Sequence, residues 1–548
     1  MHNKKTEIIT FFSVENFFKL KSEATQKARF ESLKEEYEKE FSEPLEDHIF
    51  TMLLDYQKEQ QAAKKARELK KAQEKAALPI AKGCNTATEH IKHLPRGKYL
   101  LTSAQNNTHI NEIMLNCMLT FCRENDAKLL IGRLTYNKSG FNQPDINAEN
   151  DGLWYDEKIK PFLVNGHIDL QGAHFLSDSN VIPTAKNPLS GGFEGATPPG
   201  VHCVIPATKI SLQVVASLKN SPTKTLVSTG AVTLRNYIMR KAGAIANLSH
   251  NIGAVFVDTT NPENVIIRTI ELMPECEYFF DFDKKYGEKF AENVKNGEIS
   301  TLQPGDIHAE KMTKENLNNI LGLIDKLRPV GLILHDLLDF STRNHHNIKD
   351  CTFSHLQRVL QNTVEKDLQI MAGFIDDLLD KTECDIYVVE SNHDLALLTW
   401  LKNNDVLRTD PENALVYLKC MLALYEYQKS TGLNDFNMLE YAYIHIAESN
   451  GCSDRLKFNR VDDSLIIASV EMGCHGHNGA NGSKGSPQQF KKLGIKMNTG
   501  HTHSPSIYGG VYTAGVASLE MGYNIGASSW AIAHIVTFCN GQRQIIFK

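Results

Sequence analysis

"GLILHD" at residues 331–336 and "DIYVVESNHD" at 385–394 decide how the second half of this chain is read. Each begins as a short apolar run and stops in polar residues, His-Asp in the first and Ser-Asn-His-Asp in the second. An unbroken aliphatic run of this length suits a strand covered on both faces, as in a parallel sheet. A long helical segment, 355–380, lies between them, so the order strand, helix, strand predicts a βαβ unit and an α/β fold class. In such sheets the loops leaving the carboxyl ends of the strands converge, and ligands bind there.

Three more clusters of the same kind flank this pair. In chain order the set is "GDIH" (305–308), "HDLLD" (335–339), "SNHD" (391–394), "CHGH" (474–477) and "GHTH" (500–503), each at a predicted strand end or in a glycine-rich turn. Their inventory is Asp, His and Asn, donors that suit Mn, Fe or Zn, whereas Cys474 is the single thiol and cannot build a thiolate zinc site. In "GHTH" the imidazoles are two residues apart, which in an extended segment projects both to one side, and the glycine lets the backbone come close. One histidine then serves each of two ions about 3.5–4 Å apart, and a carboxylate must bridge them. Asp336 is the expected bridge.

Taken in order, the five clusters resemble the pattern of the calcineurin-like metallophosphoesterases: DxH, GDxxD, GNH[DE], a later His and finally GHxH. The resemblance covers 298–548 and implies a catalytic domain built as a four-layer α/β/β/α sandwich, of the kind found in SbcD-like nucleases. It implies Asp306, His308 and His503 on one divalent ion, Asn392, His475 and His501 on the other, and Asp336 shared. Hydroxide, available near neutral pH beside two cations, would attack phosphorus in line with the departing oxygen. His393 would clamp the phosphate or protonate the leaving group, and Asp394 and Asp339 would orient the ligands from behind. His475 is preferred over His477 as ligand because family members bind through the histidine that directly follows the strand. This chain departs from the pattern at His335 and Ser391, where the family has glycine; neither removes a ligand, and both would crowd their turns.

Beyond the ligand set, "STRNHHN" (341–347) offers Arg343, His345 and His346 to a substrate phosphate, with an exposed polar loop as the equal alternative, and His477 is a further substrate candidate. "NGANGSKGSP" (478–487) reads as a flexible lid or substrate-side loop, and Trp530 as a core residue rather than a platform for a base.

The first half reads differently. Residues 1–97 form an N-terminal helical arm, rich in Lys, Glu, Gln, Ala and Leu between 15 and 77, with a locally basic stretch at 58–75 that reads as a solvated helix rather than a DNA contact. An accessory α/β domain is expected over 98–297: "KYLLTSA", "INEIMLNCMLTFCREN" and "AKLLIGRL" suggest a βαβ unit, and "KTLVSTGAVT", "RNYIMRKAGAIANLSHN" and "GAVFVDT" continue the alternation. "SGGFEGATPPG" (190–200) lacks the GK[ST] ending of a phosphate loop and reads as a flexible surface loop. Asn106 and Asn107 read as a turn, and "AIAHIVTFCNGQRQIIF" as a hairpin turning at Asn540-Gly541.

With 548 residues, two or three domains are expected, and a net charge of −6 excludes a chain that coats nucleic acid by bulk positive charge. Eleven cysteines without CxxC spacing fit a reducing cytoplasm, and neither a signal segment nor a long apolar run is present, so a soluble cytoplasmic protein without membrane contact is expected.

Two regions preceding the catalytic one argue for a polymeric substrate. The whole-chain texture also resembles the early DNA-degradation proteins of T5-like phages. That resemblance implies a deoxyribonuclease that uses two divalent ions, most readily Mn²⁺, with Mg²⁺, Fe²⁺ or Zn²⁺ as alternatives, and degrades host DNA in the infected bacterium. A homo-oligomer is expected, since related nucleases often pair and the helical arm could serve assembly. The rivals are a small-molecule phosphomonoesterase or nucleotide phosphodiesterase, and a non-catalytic DNA-binding scaffold.

Overall fold

The computed structural model describes residues 8, 23–41, 48–58, 91–136, 154–218, 221–344, 349–461, 463–522 and 524–548. The chain divides into two compact units, Met1–Lys82 and Gly83–Lys548. In the first, the helix Glu23–Phe41 and helical residues 48–58 share a small core of Ile8, Phe30, Leu33, Tyr37, Ile49 and Leu53. The helical composition of the arm is realised there; the basic stretch 58–75 lies, apart from Lys58, outside the described residues.

A six-stranded sheet organises the C-terminal half of the second unit. Its order is Leu456–Asn459, Asp385–Val389, Gly331–His335, Ile299–Gln303, Ala533–Phe538 and Arg543–Phe547. The first four run parallel and the last two antiparallel. The two quoted strands are therefore parallel neighbours, joined through the helices Cys351–Val359 and Val364–Lys381, and the terminal hairpin forms where the sequence placed it.

Strand periodicity explains why the "GLIL" of this stretch is apolar throughout. Leu332 and Leu334 face the helices Lys314–Leu327, Val364–Lys381 and Asp394–Asn403, while Ile333 faces the other way, against Val389, Val470 and Met472. One face is covered by helices and the other by a second sheet. Thr313 and Thr363 start the first two of these helices, each accepting a backbone N–H three residues on.

That second sheet has eleven strands and runs from Ile91–His93 at one end to Ile466–Ile467 at the other. Six of its strands come from residues 91–230 and five from 466–513, so its hydrogen bonding crosses the boundary expected at 298. Tyr512, Ile507, Val227 and Leu212 from this sheet share a core with Ile535 and Ile545 of the six-stranded sheet. The same core takes in Tyr99, Leu101 and Val255 from a five-stranded sheet, ordered Ile266–Glu271, Gly253–Asp258, Lys98–Gln105, Ala127–Leu134 and Leu163–Val164.

The expected βαβ unit at 98–134 is present, with parallel strands and the helix Glu112–Asn125 laying Met114, Met118 and Phe121 on them. The alternation read further on does not continue it. Lys224–Gly230 belongs to the eleven-stranded sheet, and Gly253–Asp258 pairs antiparallel with Lys98–Gln105. The stretch 190–200 lies mostly on the surface, as expected, and is tied down where the buried Lys224 ammonium donates to the carbonyls of Glu194 and Thr197 at 2.6 and 2.7 Å. Asn106 and Asn107 form a turn, with Asn106 Oδ1 accepting the Tyr136 N–H at 2.7 Å and Asn107 at φ 49°. No described cysteine is in a disulfide, and no described helix is long and apolar enough to cross a membrane.

Leu334 is wholly enclosed between sheet and helices. Its replacement by alanine is expected to destabilise the second unit by about 2–5 kcal/mol, seen as a lower urea midpoint with an unchanged slope.

Candidate metal centre

All five polar clusters leave the carboxyl ends of strands. Those at 305–308, 335–339 and 391–394 follow Ile299–Gln303, Gly331–His335 and Asp385–Val389 of the six-stranded sheet. Those at 474–477 and 500–503 follow Val470–Glu471 and Met497–Thr499 of the eleven-stranded sheet. The site lies where the two sheets face each other.

Backbone pairing carries the first two clusters past the ends of their strands. The N–H groups of Ile307, His308 and Ala309 donate to the carbonyls of His335, Asp336 and Leu337 at 3.0, 2.7 and 3.0 Å. This sets His308 beside Asp336, and both take left-handed backbone, each at φ 46°. His501 and His503 do so too, at φ 70° and 58°. The extended geometry expected for "GHTH" is therefore replaced by a tight bend in which Thr502 N–H donates to the Gly500 carbonyl at 2.9 Å. Four strained non-glycine residues in one site are a signature of functional loops held by their surroundings.

The two imidazoles of that bend go to different neighbours. His503 Nε2 stands 3.3 Å from Asp306 Oδ2, 3.3 Å from His308 Nε2 and 3.8 Å from Asp336 Oδ2. The His501 ring instead lies 5.3 Å from that of His475, whose Nε2 is 3.3 Å from Asp336 Oδ2. Two donor sets meet at Asp336, His308–Asp336–His503 and Asp306–Asp336–His475, and a third, His308–Asp339–His393, shares His308; the atoms of each set lie within 4.8 Å of one another. Asn392, in the loop that follows Asp385–Val389, has a buried Oδ1 without a hydrogen-bond partner.

The donor atoms themselves fit a cation. Asp306, Asp336, His308, His475 and His503 are all buried, yet Asp306 Oδ1, both oxygens of Asp336 and His475 Nε2 lack hydrogen-bond partners. Buried carboxylate oxygens without donors are costly unless a positive charge meets them. The buried clusters could therefore bind a metal ion.

Groups behind the donors hold them in place. Asp339 Oδ1 accepts from His308 Nδ1 at 3.0 Å, which leaves Nε2 to the site. Asp394 accepts the N–H groups of Leu338 and Ser391 at 2.9 and 3.0 Å, while Ser391 Oγ accepts the Asp394 N–H at 3.1 Å. That reciprocal pair is a capping box, and it accommodates the serine that would otherwise crowd the turn. Gly500 is required for a different reason: a Cβ there would stand 2.1 Å from Asp306 Oδ1. Its N–H donates to the His475 carbonyl at 2.7 Å, and the next N–H, of His501, to Asp306 Oδ2 at 2.7 Å.

Charge and burial shape the titration of this cluster. Burial alone would lower His308 and His475, but the carboxylates around them win and push both up to about 9. Asp336, despite burial, is held well below the ordinary range by His475 and His393. Burial and the charge of Asp336 raise Asp306, and the same two causes push Asp394 up to about 6. His501 and His477 fall to about 4 through burial and the proximity of His475.

Other residues singled out from the sequence are placed as follows. His393 is partly exposed, with Nδ1 donating to the Asp339 carbonyl at 3.1 Å, its ring 4.9 Å from that of His308. Arg343 does not face the site: it is buried and forked onto Asp410 at 2.6 and 2.9 Å, so the phosphate contact expected of it is taken by an internal carboxylate. His345 and His346 lie outside the described residues. His477 sits 5.5 Å from His475 between ring centroids but joins none of these donor sets, and its loop folds back through a bond from Gly485 N–H to its carbonyl at 2.9 Å.

Sequence reasoning passed over Glu310 and read Trp530 as core. Glu310 accepts the backbone N–H groups of Asp339 and Phe340 at 2.8 and 2.9 Å and so sets the loop behind His308; one glutamate between lysine and alanine carries no signal of this. Trp530, read as core, is half-buried with its ring 4.2 Å from that of His503.

Fold and site together define a mixed α/β protein with buried Asp/His clusters that could bind a metal ion. The chain is similar to Protein A1 of Escherichia phage T5, at 38% identity over 510 residues that cover 90% of each chain, and it belongs to that protein's family. No protein-family model and no solved structure matches it.

Two outcomes are expected. Gly500→Ala should abolish tight divalent-cation binding while the protein stays folded, as read by calorimetry and circular dichroism. Cation binding near neutral pH should also release protons, because His308 and His475 must lose theirs first, and affinity should climb as pH rises toward about 9. Titration in buffers of different ionisation heat measures that release. Without a cation these two groups stabilise the fold below pH 6.5, a contribution lost as pH rises through about 9.

Proposed function

We propose that this chain is a metal-dependent deoxyribonuclease of the metallophosphoesterase kind, acting on phosphodiester bonds with two divalent cations, Mn²⁺ foremost. The observation that carries this reading is the sharing of Asp336 by two donor sets, since a carboxylate common to two cation positions is what a two-ion phosphoesterase needs. Helices on one face of the six-stranded sheet and a second sheet on the other agree with the sandwich architecture that the sequence motifs suggest.

A bound pair of divalent cations supplies a nucleophile at neutral pH and positive charge for the oxygens of the phosphodiester. The chain's residues do the rest. Following the motif resemblance, Asp306, His308, Asp336 and His503 would hold one ion, and Asp336, Asn392, His475 and His501 the other; Asp306 lies 3.3 Å from His503 and also stands in the donor set of His475. Asp339, Asp394 and Glu310 keep those side chains and their loops in register. His393 keeps Nδ1–H on the Asp339 carbonyl, and its Nε2 is left for a phosphate or leaving-group oxygen, to which the imidazolium form would donate its second N–H as a proton or a hydrogen bond.

A polymeric substrate is favoured by the extent of the second sheet, which places six strands from residues 91–230 alongside the five from 466–513 that include the flanks of the site. A relative encoded by a phage is compatible with host DNA in an infected bacterium as that substrate.

The full chain with Mn²⁺ is expected to degrade plasmid DNA, to stop when the metal is chelated, and to leave p-nitrophenyl phosphate largely intact. His393→Ala should lower turnover by roughly 10²–10⁴-fold with Mn²⁺ binding retained, whereas Asp336→Asn should lose both. Intact plasmid beside rapid hydrolysis of the small ester would transfer the reading to a phosphomonoesterase.

A further inference from the structure

One contact of His475 falls outside the proposed ligand set. His335 ends the strand Gly331–His335, and the alternation that turns Ile333 onto Val470 and Met472 turns His335 to the same side. There its Nδ1 stands 3.3 Å from Nδ1 of His475, with the rings 5.5 Å apart and inclined by 33°. His335 is 0% exposed, and its Nε2 has no hydrogen-bond partner. A polar ring buried with one nitrogen unsatisfied is a placement that calls for a compensating role.

Two facing Nδ1 atoms form a hydrogen bond only if one carries a proton and the other a lone pair. A neutral His475 that offers Nε2 to a cation keeps its single ring proton on Nδ1, so His475 donates and His335 accepts. We propose that His335 is a positioning residue: it accepts the Nδ1–H of His475, fixes that ring's tautomer and orientation, and presents its Nε2 to a divalent cation beside Asp336. This rests on the reading of His475 as a ligand. Outer partners of metal-bound imidazoles are commonly carboxylates or carbonyls. An imidazole here does the same without adding a further negative charge to a site that already buries Asp306, Asp336, Asp339 and Asp394.

The test is a Mn²⁺ titration of the full chain by calorimetry and electron paramagnetic resonance, on wild type, His335→Leu and His335→Asn, with folding checked by circular dichroism. Leucine fills the space without an acceptor, while asparagine places a side-chain oxygen near the position of Nδ1. Wild type is expected to take up two ions with a spin-coupled spectrum. His335→Leu should bind the ion on the His475 side roughly 10–100-fold more weakly, leaving the six-line spectrum of a single ion at low Mn²⁺, and His335→Asn should restore the coupled spectrum. Should His335→Leu bind both ions like wild type, or His335→Asn be as weak as a folded or unfolded leucine variant, the proposal is overturned. A wild-type chain that never binds two ions overturns the ligand reading itself, which keeps the two failures apart.

Discussion

Asp336 is buried, no hydrogen bond satisfies either of its carboxylate oxygens, and three imidazole Nε2 atoms stand 3.3, 3.6 and 3.8 Å from Oδ2. Much of the surrounding structure follows from keeping that charge where it is. In water the carboxylate would be solvated; in the interior it is tolerable only because positive groups face it. His475 and His308 carry that duty by holding protons far above their ordinary range, and a divalent cation would carry it better.

Holding so many donors around one oxygen puts strain into the backbone. His308, Asp336, His501 and His503 all occupy left-handed conformations that disfavour side chains, at a cost on the order of 1–3 kcal/mol each. The strain is sustained by what lies behind the loops: bonds from 307–309 to 335–337, the Ser391–Asp394 box and the Glu310 carboxylate on the N–H groups of Asp339 and Phe340. Beneath these sits a dense layer of Leu332, Leu334, Ile386 and Val388 against the helices. A rigid core below and hydrogen bonds to the loops above are what allow strained donors to stay converged.

The second sheet links this centre to the rest of the unit. Because 91–230 and 466–513 supply neighbouring strands, His475, His501 and His503 hang from a sheet whose far strands come from the region that precedes the Asp/His clusters. The antiparallel pair of Leu212 with Ile507 is the seam. The terminal hairpin ties a further region in, since the Gln542 side chain bonds both the N–H and the carbonyl of Phe280, at 2.8 and 2.6 Å. A domain reading by motif therefore differs from the division made by hydrogen bonds.

What could be read from the chain alone was whatever depends on neighbours in sequence. Apolar runs of strand length, a helical segment between them and polar residues at their ends foretold the parallel pair Gly331–His335 and Asp385–Val389 and the loops that follow it. Residue chemistry likewise singled out Asp306, His308, Asp336, His475 and His503, which the fold brings together. Tertiary structure decided what depends on partners distant in the chain. It turned Arg343 onto Asp410, gave Glu310 a task no local pattern marks, bent "GHTH" through two left-handed residues and set His335 against His475. The physical reason is that strand and helix periodicity are local properties of the backbone, whereas which buried polar atom finds which partner is settled only when separate sheets close on one another.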